Sequence, residues 1–349
     1  MNRRIALTVG AAVCSLLVIA ACGVLLGVHP ATMLASCAGA FGSYYAVGET
    51  LVKSCPLLLL ALAVIIAFRA GAWNIGGEGQ LIVGAVAALC VAQALPEGPL
   101  AAILGLMAGA AAGAIWAGIA AALRVTRNAP EVLTTILLNF VAEHFLGFLI
   151  NGPLQEGSGK YPESEAVAPL SWLMTLSSTR LHVGVVLAVV LAGAMHYFLF
   201  YSAAGLRIRA VGLNPRAARY VGIPVDRSIF GAMLASGALA GLAGSVELLG
   251  VTHRLFERFG GGLGYSGIAV ALLAFLQPLA AIPSAIFFAG LARAAGELQR
   301  TAGISSAVAL LGQGVAVLVA LTLSAPRFSS LRVAKAPASR PVPHLGESS

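Results

Sequence analysis

Charge is what this sequence has least of. Only 10% of its 349 residues are Asp, Glu, Lys or Arg, whereas 59% are hydrophobic. A soluble domain carries about a quarter of its residues as charges, so a soluble globular fold is excluded. Cysteine is also sparse. Cys14, Cys22, Cys37, Cys55 and Cys90 lie in or beside apolar runs, with no CxxC spacing and no neighbouring His cluster, and read as small packing residues. A Walker A loop, a metal-ligand cluster and a nucleophile paired with a base are all missing. The chain is therefore expected to hold no metal, no cofactor and no catalytic residue. An interleaved aromatic and basic face is missing too, so the net charge of +8 is no nucleic-acid signal.

Long apolar runs fill the space that charge leaves. Those near 5–27, 81–97, 99–123, 131–150, 181–203, 228–250 and 306–324 reach or approach bilayer-spanning length. Shorter runs at 55–68, 264–277 and 279–294 are interrupted or flanked by Gly and polar residues. Together they predict an all-α integral membrane protein with about ten transmembrane helices. The stretch 31–47 is only moderately apolar. Residues 28–54 are accordingly set apart as an external, interfacial segment, ahead of a transmembrane domain at 55–324. The first run follows Asn2-Arg3-Arg4 and contains Ile19-Ala20-Ala21-Cys22, which fits a lipoprotein signal cleaved before Cys22. Its continuation through Gly23-Val24-Leu25-Leu26 favours an uncleaved signal-anchor helix over 1–27. The Pro-, Ser- and basic-rich stretch 325–349 reads as a disordered tail.

Basic residues test the count. Arg3 and Arg4, Arg124 and Arg127, the arginines between 204 and 227, and Arg327 to Arg340 all fall on one side if ten spans are drawn. The positive-inside bias makes that side cytoplasmic, with both termini, the 204–227 link and the tail. Loop 151–180, with Glu156, Glu163 and Glu165 against Lys160 and Arg180, falls on the external side. Small residues such as those of 108–113 and 237–244 supply close helix packing where lipid offers no hydrophobic drive.

Four segments stand out chemically. Phe68 to Gln80 places Arg69, Asn74, Glu78, Gln80 and several glycines between apolar runs. It is either a polar turn at the membrane face or a broken helix at membrane depth, sheltered by protein or lining a wet cavity. Glu131, Thr135, Asn139 and Glu143 recur every four residues along one helix. They either line a path, Asn139 and Glu143 above all, or bond neighbouring helices. His144 lies on another face. Between two spans, Asn214 suits an N-cap, Pro215 the first helical turn and Gly222 the stop of a short surface helix. That helix either docks in a cleft of a cytosolic partner or lies on anionic headgroups through Arg216 and Arg219. Finally, Arg254 to Ala271 joins a Gly-rich break to a short apolar run closed by Pro278, and includes Tyr265 and Ser266. Broken or short helices near 68–80 and 260–278, one in each half, point to a central substrate site; ordinary Gly-rich turns are the alternative.

At these four places the chain resembles the permease family of ABC importers for nucleosides and simple sugars, within the wider group that includes branched-chain amino acid permeases. FRAGAWNIGGEGQ at 68–80, NAPEVLTTILLNF at 128–140, RAVGLNPRAARYVGI at 209–223, GALAGLAGSVE at 237–247 and GGLGYSGIAVALLA at 261–274 carry the likeness. Pro130 stands where the family more often has a polar residue before the Glu. The resemblance spans about residues 50–324 and implies an importer-type helical permease with its path between two subunits. It implies that Asn74, Glu78, Gln80, Asn139, Glu143, Tyr265 and Ser266 line that path. It further implies that Asn214, Pro215, Arg216, Ala217, Ala218, Arg219, Tyr220 and Gly222 form a coupling helix. Implied partners are a second permease forming a heterodimer with this chain, a cytosolic ATPase that holds ATP and Mg, and an extracytoplasmic substrate-binding lipoprotein. The implied location is the bacterial inner membrane. Two readings from other classes stay open: an ion-coupled transporter using Glu78, Glu131 and Glu143 as proton sites, and a membrane-embedded enzyme.

Overall fold

A helix that is apolar on every side finds its place inside a bundle rather than on its surface. The computed structural model of the chain is organised around such a helix. It describes residues 35, 36, 38, 39, 41–176, 179–302, 314, 315 and 318. Helix α1, Tyr44–Arg69, starts at Ser43, whose Oγ accepts from Ala46 N at 3.1 Å, and is buried along most of its length. Around it run α2 (Gly77–Ala94), α3 (Pro99–Arg127), α4 (Glu131–Ile150) and α5 (Val183–Tyr201). Then come α6 (Ala203–Leu213), α7 (Pro215–Tyr220), α8 (Val225–Glu247, continued by a π-helical turn to Thr252), α9 (Leu263–Leu273) and α10 (Pro278–Ala302). Among the described residues there is no strand, and seven helices are long and apolar enough to cross a membrane.

Each expected span that falls on described residues has a helix. The expected spans 5–27 and 306–324, the anchor 1–27 and the tail 325–349 lie outside the described residues, apart from isolated positions. Two expectations change. The helix assigned to 55–68 begins at Tyr44, so the end of the segment set apart at 28–54 belongs to α1. Glu49 and Lys53, with Thr50 and Ser54, lower its hydropathy, yet both hydroxyls bond back to helix carbonyls, Ala46 O at 2.9 Å and Leu51 O at 2.7 Å, and are buried without an unpaired donor. The run 264–277 is not a full-length span by itself; the chain before it completes the passage from one end of the bundle to the other. Helix α9 spans only Leu263–Leu273, about 16 Å of rise.

Small residues set the packing. Helix α8 lies along α3, α2 and α1 with glycines at the contacts. A Cβ at Gly241 would collide with the Gly109 carbonyl of α3, and one at Gly244 with the Leu81 carbonyl of α2. Backbone-to-backbone approach of this kind replaces the hydrophobic drive that lipid cannot supply.

The bundle has two distinct ends. One, the link end, carries α6, α7 and the C-terminus of α1, where Gly212 abuts Arg69. The helix that Asn214, Pro215 and Gly222 predict is present there as α7. Asn214 Oδ1 accepts from Arg216 N and Ala217 N, both at 3.1 Å, and Gly222 has φ +79°. The other, the loop end, carries the start of α1 and the segment 151–182. That segment is stitched to the stretch after α8: Val167 N to His253 O at 2.8 Å, Leu173 N to Leu249 O at 2.9 Å, and Arg180 Nη2 to Val251 O at 2.8 Å. Trp172 stacks on His253 at 3.7 Å, and Arg254 pairs with Glu163 at 2.7 Å.

Two outcomes follow from this packing. Gly241→Ala should destabilise the protein by about 1–3 kcal/mol through overpacking. Gly231→Ala, in the same helix with nothing within 4 Å, should be neutral or raise stability by up to about 1 kcal/mol; thermal unfolding in detergent compares them. At the loop end, burial beside His253 and Arg180 pushes the His182 imidazole down to about 4. Burial and Arg180 push His253 down to about 4 as well. The unfolded chain takes up these protons first, so their stabilising share is complete above the ordinary value of 6.5 and is lost as pH falls toward 4. Unfolding temperature should therefore drop across that window, with a shallower slope in His182→Phe; identical slopes would refute the assignment.

Candidate functional site

An interrupted helix inside an apolar bundle leaves backbone donors and acceptors that no water can satisfy, and each one left unpaired costs about 1–3 kcal/mol. Between α1 and α2 the chain makes such an interruption over residues 70–76. It turns at Gly71, whose φ of +72° suits glycine, then climbs back beside α1 until Gly77 meets Leu60. Leu60 lies nine residues before Arg69 on α1, about 14 Å along the helix. The break thus reaches the interior of the bundle and is not a turn at its surface.

Helix α4 supplies the missing partners. Its polar stripe runs parallel to the break, and successive side chains take successive backbone groups. Glu131 Oε1 accepts from Trp73 N at 3.3 Å, and Thr135 Oγ1 accepts from Ile75 N at 3.3 Å. Asn139 Oδ1 accepts from Gly79 N at 2.9 Å, while its Nδ2 donates to Ile75 O at 3.0 Å. Arg124, at the end of α3, pairs with Glu131 at 2.6 Å and reaches Gly71 O at 3.4 Å. A second set faces α8. Asn74 Nδ2 donates to Ser236 Oγ at 2.8 Å, Asn74 and Gln80 exchange two bonds at 3.0 Å, and Ser236 Oγ donates to Ala63 O of α1 at 2.6 Å.

Glu78 goes elsewhere. Its Oε1 accepts from Gly262 N at 2.8 Å and its Oε2 from Gly264 N at 2.6 Å, at the N-terminus of α9. Gly262 has φ +85°, and a Cβ at Gly260 or Gly264 would collide with Glu78. The glycines of the second break are there so that this carboxylate can sit against the helix end, where the dipole and free N–H groups favour an anion.

Beside this junction an open cleft of about 200 Å³ lies between α4, α9 and the loop before α9, lined by Glu78, Asn139, Phe140, Glu143, Arg258 and Tyr265 among others. Asn139 Nδ2 donates to the Tyr265 hydroxyl at 3.3 Å. Glu143 and Tyr265 are exposed on the cleft wall. An ionisable side chain at such a depth is costly against lipid and is sustained by water or protein. Glu78, Asn139, Glu143 and Tyr265, expected to line a path, therefore come together. Asn74 and Gln80 do not: both are buried and spent on each other and on α8, because the broken backbone claims its own neighbourhood first. Ser266, one residue past Tyr265, is half-buried and not on the wall. Sequence reading passed over Ser236 and gave Arg258 no role. A Ser in a Gly/Ala-rich run has no distinguishing pattern, and Arg258 reaches the cleft through a left-handed backbone, φ +59°, that no motif announces.

A bundle of helices long and apolar enough to cross a membrane, broken beside a cleft that carries Glu143, Arg258 and Tyr265, fits a membrane protein that handles a solute. The chain belongs to the family of permease components of branched-chain amino acid transport systems, which matches residues 46–321. It is similar to the guanosine ABC transporter permease protein NupP of Bacillus subtilis, with 36% identity over 83% of this chain and 85% of that protein. It is similar to the glucose ABC transporter permease protein TsgB13 of Haloferax volcanii, with 32% identity over 80% of this chain and 77% of the relative. A third relative is the nucleoside ABC transporter permease protein NupB of Lactococcus lactis, 32% identical over 71% of this chain and 72% of its own length. No solved structure matches the chain.

Asn139→Leu removes partners from Gly79 N and Ile75 O and should cost about 2–4 kcal/mol in stability, with Thr135→Val costing about 1 kcal/mol. Glu143→Gln should leave the unfolding temperature unchanged. Equal losses for Asn139 and Glu143 would mean that the α4 stripe does not serve the break.

Proposed function

We propose that this permease imports nucleosides, working as one half of a pore completed by a second permease subunit in a heterodimer. The observation that carries this reading is the cleft between α4 and α9, largely apolar but with Glu143 and Tyr265 exposed on its wall. Relatives named for guanosine and nucleoside transport support the choice of cargo. A nucleoside is uncharged and carries hydroxyl and amide groups that pair with a carboxylate, a guanidinium and a phenol, while its base stacks on an aromatic ring such as Phe140. The relative named for glucose transport favours a second reading, in which the cargo is a simple sugar.

In this reading the link end faces the cytoplasm of a bacterial cell, with both chain termini on that side, and the loop end faces outward toward a substrate-binding lipoprotein. Helix α7 is the coupling helix. It is short, capped at both ends, and anchored through buried Ala218, while Tyr220 and Val221 are 93% and 75% exposed at its tip. Large apolar side chains so exposed fit a surface that docks in a cleft of a cytosolic ATPase. That partner binds ATP with Mg and performs the hydrolysis; this chain transmits the motion and performs no chemistry on the solute.

Reconstitution of the chain with its partner subunits in proteoliposomes tests the reading. Labelled guanosine should accumulate only with ATP, ahead of glucose, and Glu143→Gln or Tyr265→Phe should raise the half-saturating concentration about tenfold, the worth of one good hydrogen bond. Uptake of glucose but of no nucleoside would establish the second reading. Replacing Pro215 and Gly222 together should weaken ATPase binding by about tenfold while membrane insertion stays normal; unaltered ATPase binding would remove α7 from the coupling role.

A further inference from the structure

Helix α9 begins in the interior of the bundle and ends at the link end, and both of its ends are held by the same short stretch of chain. At the N-terminus, the Glu78 carboxylate takes Gly262 N and Gly264 N. At the other end, the Arg69 guanidinium donates from Nε and Nη2 to Leu276 O, at 3.1 and 2.9 Å. An anion at the start and a cation past the finish of one helix both oppose its dipole favourably. The C-terminal grip falls on an unusual backbone. Phe275 and Leu276 are consecutive non-glycine residues in the left-handed region, φ +52° and +54°, a conformation that persists only where its surroundings hold it.

The gripping stretch is itself pressed against the link. Gly212, in the last turn of α6, sits so close to Arg69 and Gly71 that a Cβ there would strike the Arg69 carbonyl. Asn214, the N-cap of α7, follows two residues later. Arg69 and Arg209 of α6 also both lie over the Phe200 ring, at 5.5 and 5.1 Å. Tyr265, on the first turn of α9, lines the cleft. A continuous run of contacts therefore joins α7 to the cleft wall through one rigid pair.

We propose that Arg69 and Glu78 are positioning residues that clamp α9 at both ends, so that a displacement of the α6–α7 link moves the cleft wall. The clamp deepens the transport reading above and rests on it. Contact alone does not demonstrate coupling, so the test measures coupling directly.

The complete transporter in proteoliposomes is assayed for ATP hydrolysis and labelled guanosine uptake on the same sample, with hydrogen exchange of α9 amides alongside. Arg69→Met, which lies outside the cleft lining, should hydrolyse ATP within about twofold of the parent while guanosine moved per ATP falls about tenfold. Arg69→Lys, which keeps the charge and one donor, should recover part of the loss. Exchanging the charges, Arg69→Glu with Glu78→Arg, puts the wrong sign at both ends of α9 and should be worse than either single change. Rescue by the exchange would overturn the proposal, since it would mean that the two residues serve each other. Uptake and hydrolysis falling in proportion would overturn it too. If Arg69→Met does not assemble, Arg69→Lys decides by the same ratio. Hydrogen exchange does not depend on the cargo. Amides of 262–270 should exchange about tenfold faster in Glu78→Gln, with α8 unchanged; unaltered protection overturns the clamp. A parent complex that shows the clamp but no guanosine uptake would instead refute the proposed cargo.

Discussion

The structure depends on one requirement: the polar backbone of the break between α1 and α2 must be paired where water is scarce. Residues 70–76 leave the helical pattern inside an apolar bundle, and the polar side chains of α4 stand at the rise needed to meet them. Trp73, Ile75 and Gly79 present their N–H groups to Glu131, Thr135 and Asn139 in order. The four-residue spacing on the helix thus meets the break at Trp73 and Ile75 and the first turn of α2 at Gly79. Without this match the break would carry several unpaired groups, each worth enough to reorganise a marginally stable protein.

Close packing makes the match possible. Helix α8 brings Ser236 within reach of both Asn74 and the Ala63 carbonyl, and it does so because glycines let it approach α3 and α2 backbone to backbone. The break is consequently enclosed by α1, α4 and α8. Where α4 and α9 part, the enclosure opens, and the side chains left on that wall are Glu143, Tyr265 and Arg258 rather than Leu or Phe alone. The pairing of the break and the polarity of the cleft wall come from the same stripe: its first three members bind backbone, and its last member faces the cleft.

The two ends of the bundle are built differently. At the loop end, backbone bonds, an ion pair and the Trp172–His253 stack tie segment 163–182 to the chain that descends toward Gly262. At the link end, α7 stands on one buried alanine with exposed large side chains around it. The first is an anchored cover and the second an exposed handle.

Much of this architecture was legible from one dimension. Apolar run lengths announced the spans, and Asn214, Pro215 and Gly222 delimited α7, because caps and stops act through neighbouring backbone and need no distant partner. The four-residue polar stripe and the two Gly-rich breaks were visible as features, but their roles were not. Whether Asn139 bonds a helix or lines a path depends on what lies across from it, and Asn74 and Gln80 turned inward because Ser236 was there to meet them. The start of α1 was hidden because Glu49 and Lys53, with Thr50 and Ser54, lower the hydropathy of its first turns, whereas the two hydroxyls satisfy themselves on their own helix. Local signals belong to the sequence. The pairing of Glu78 with a helix start, and of Arg69 with its finish, joins residues some two hundred positions apart, and only the folded chain brings such groups within hydrogen-bond reach.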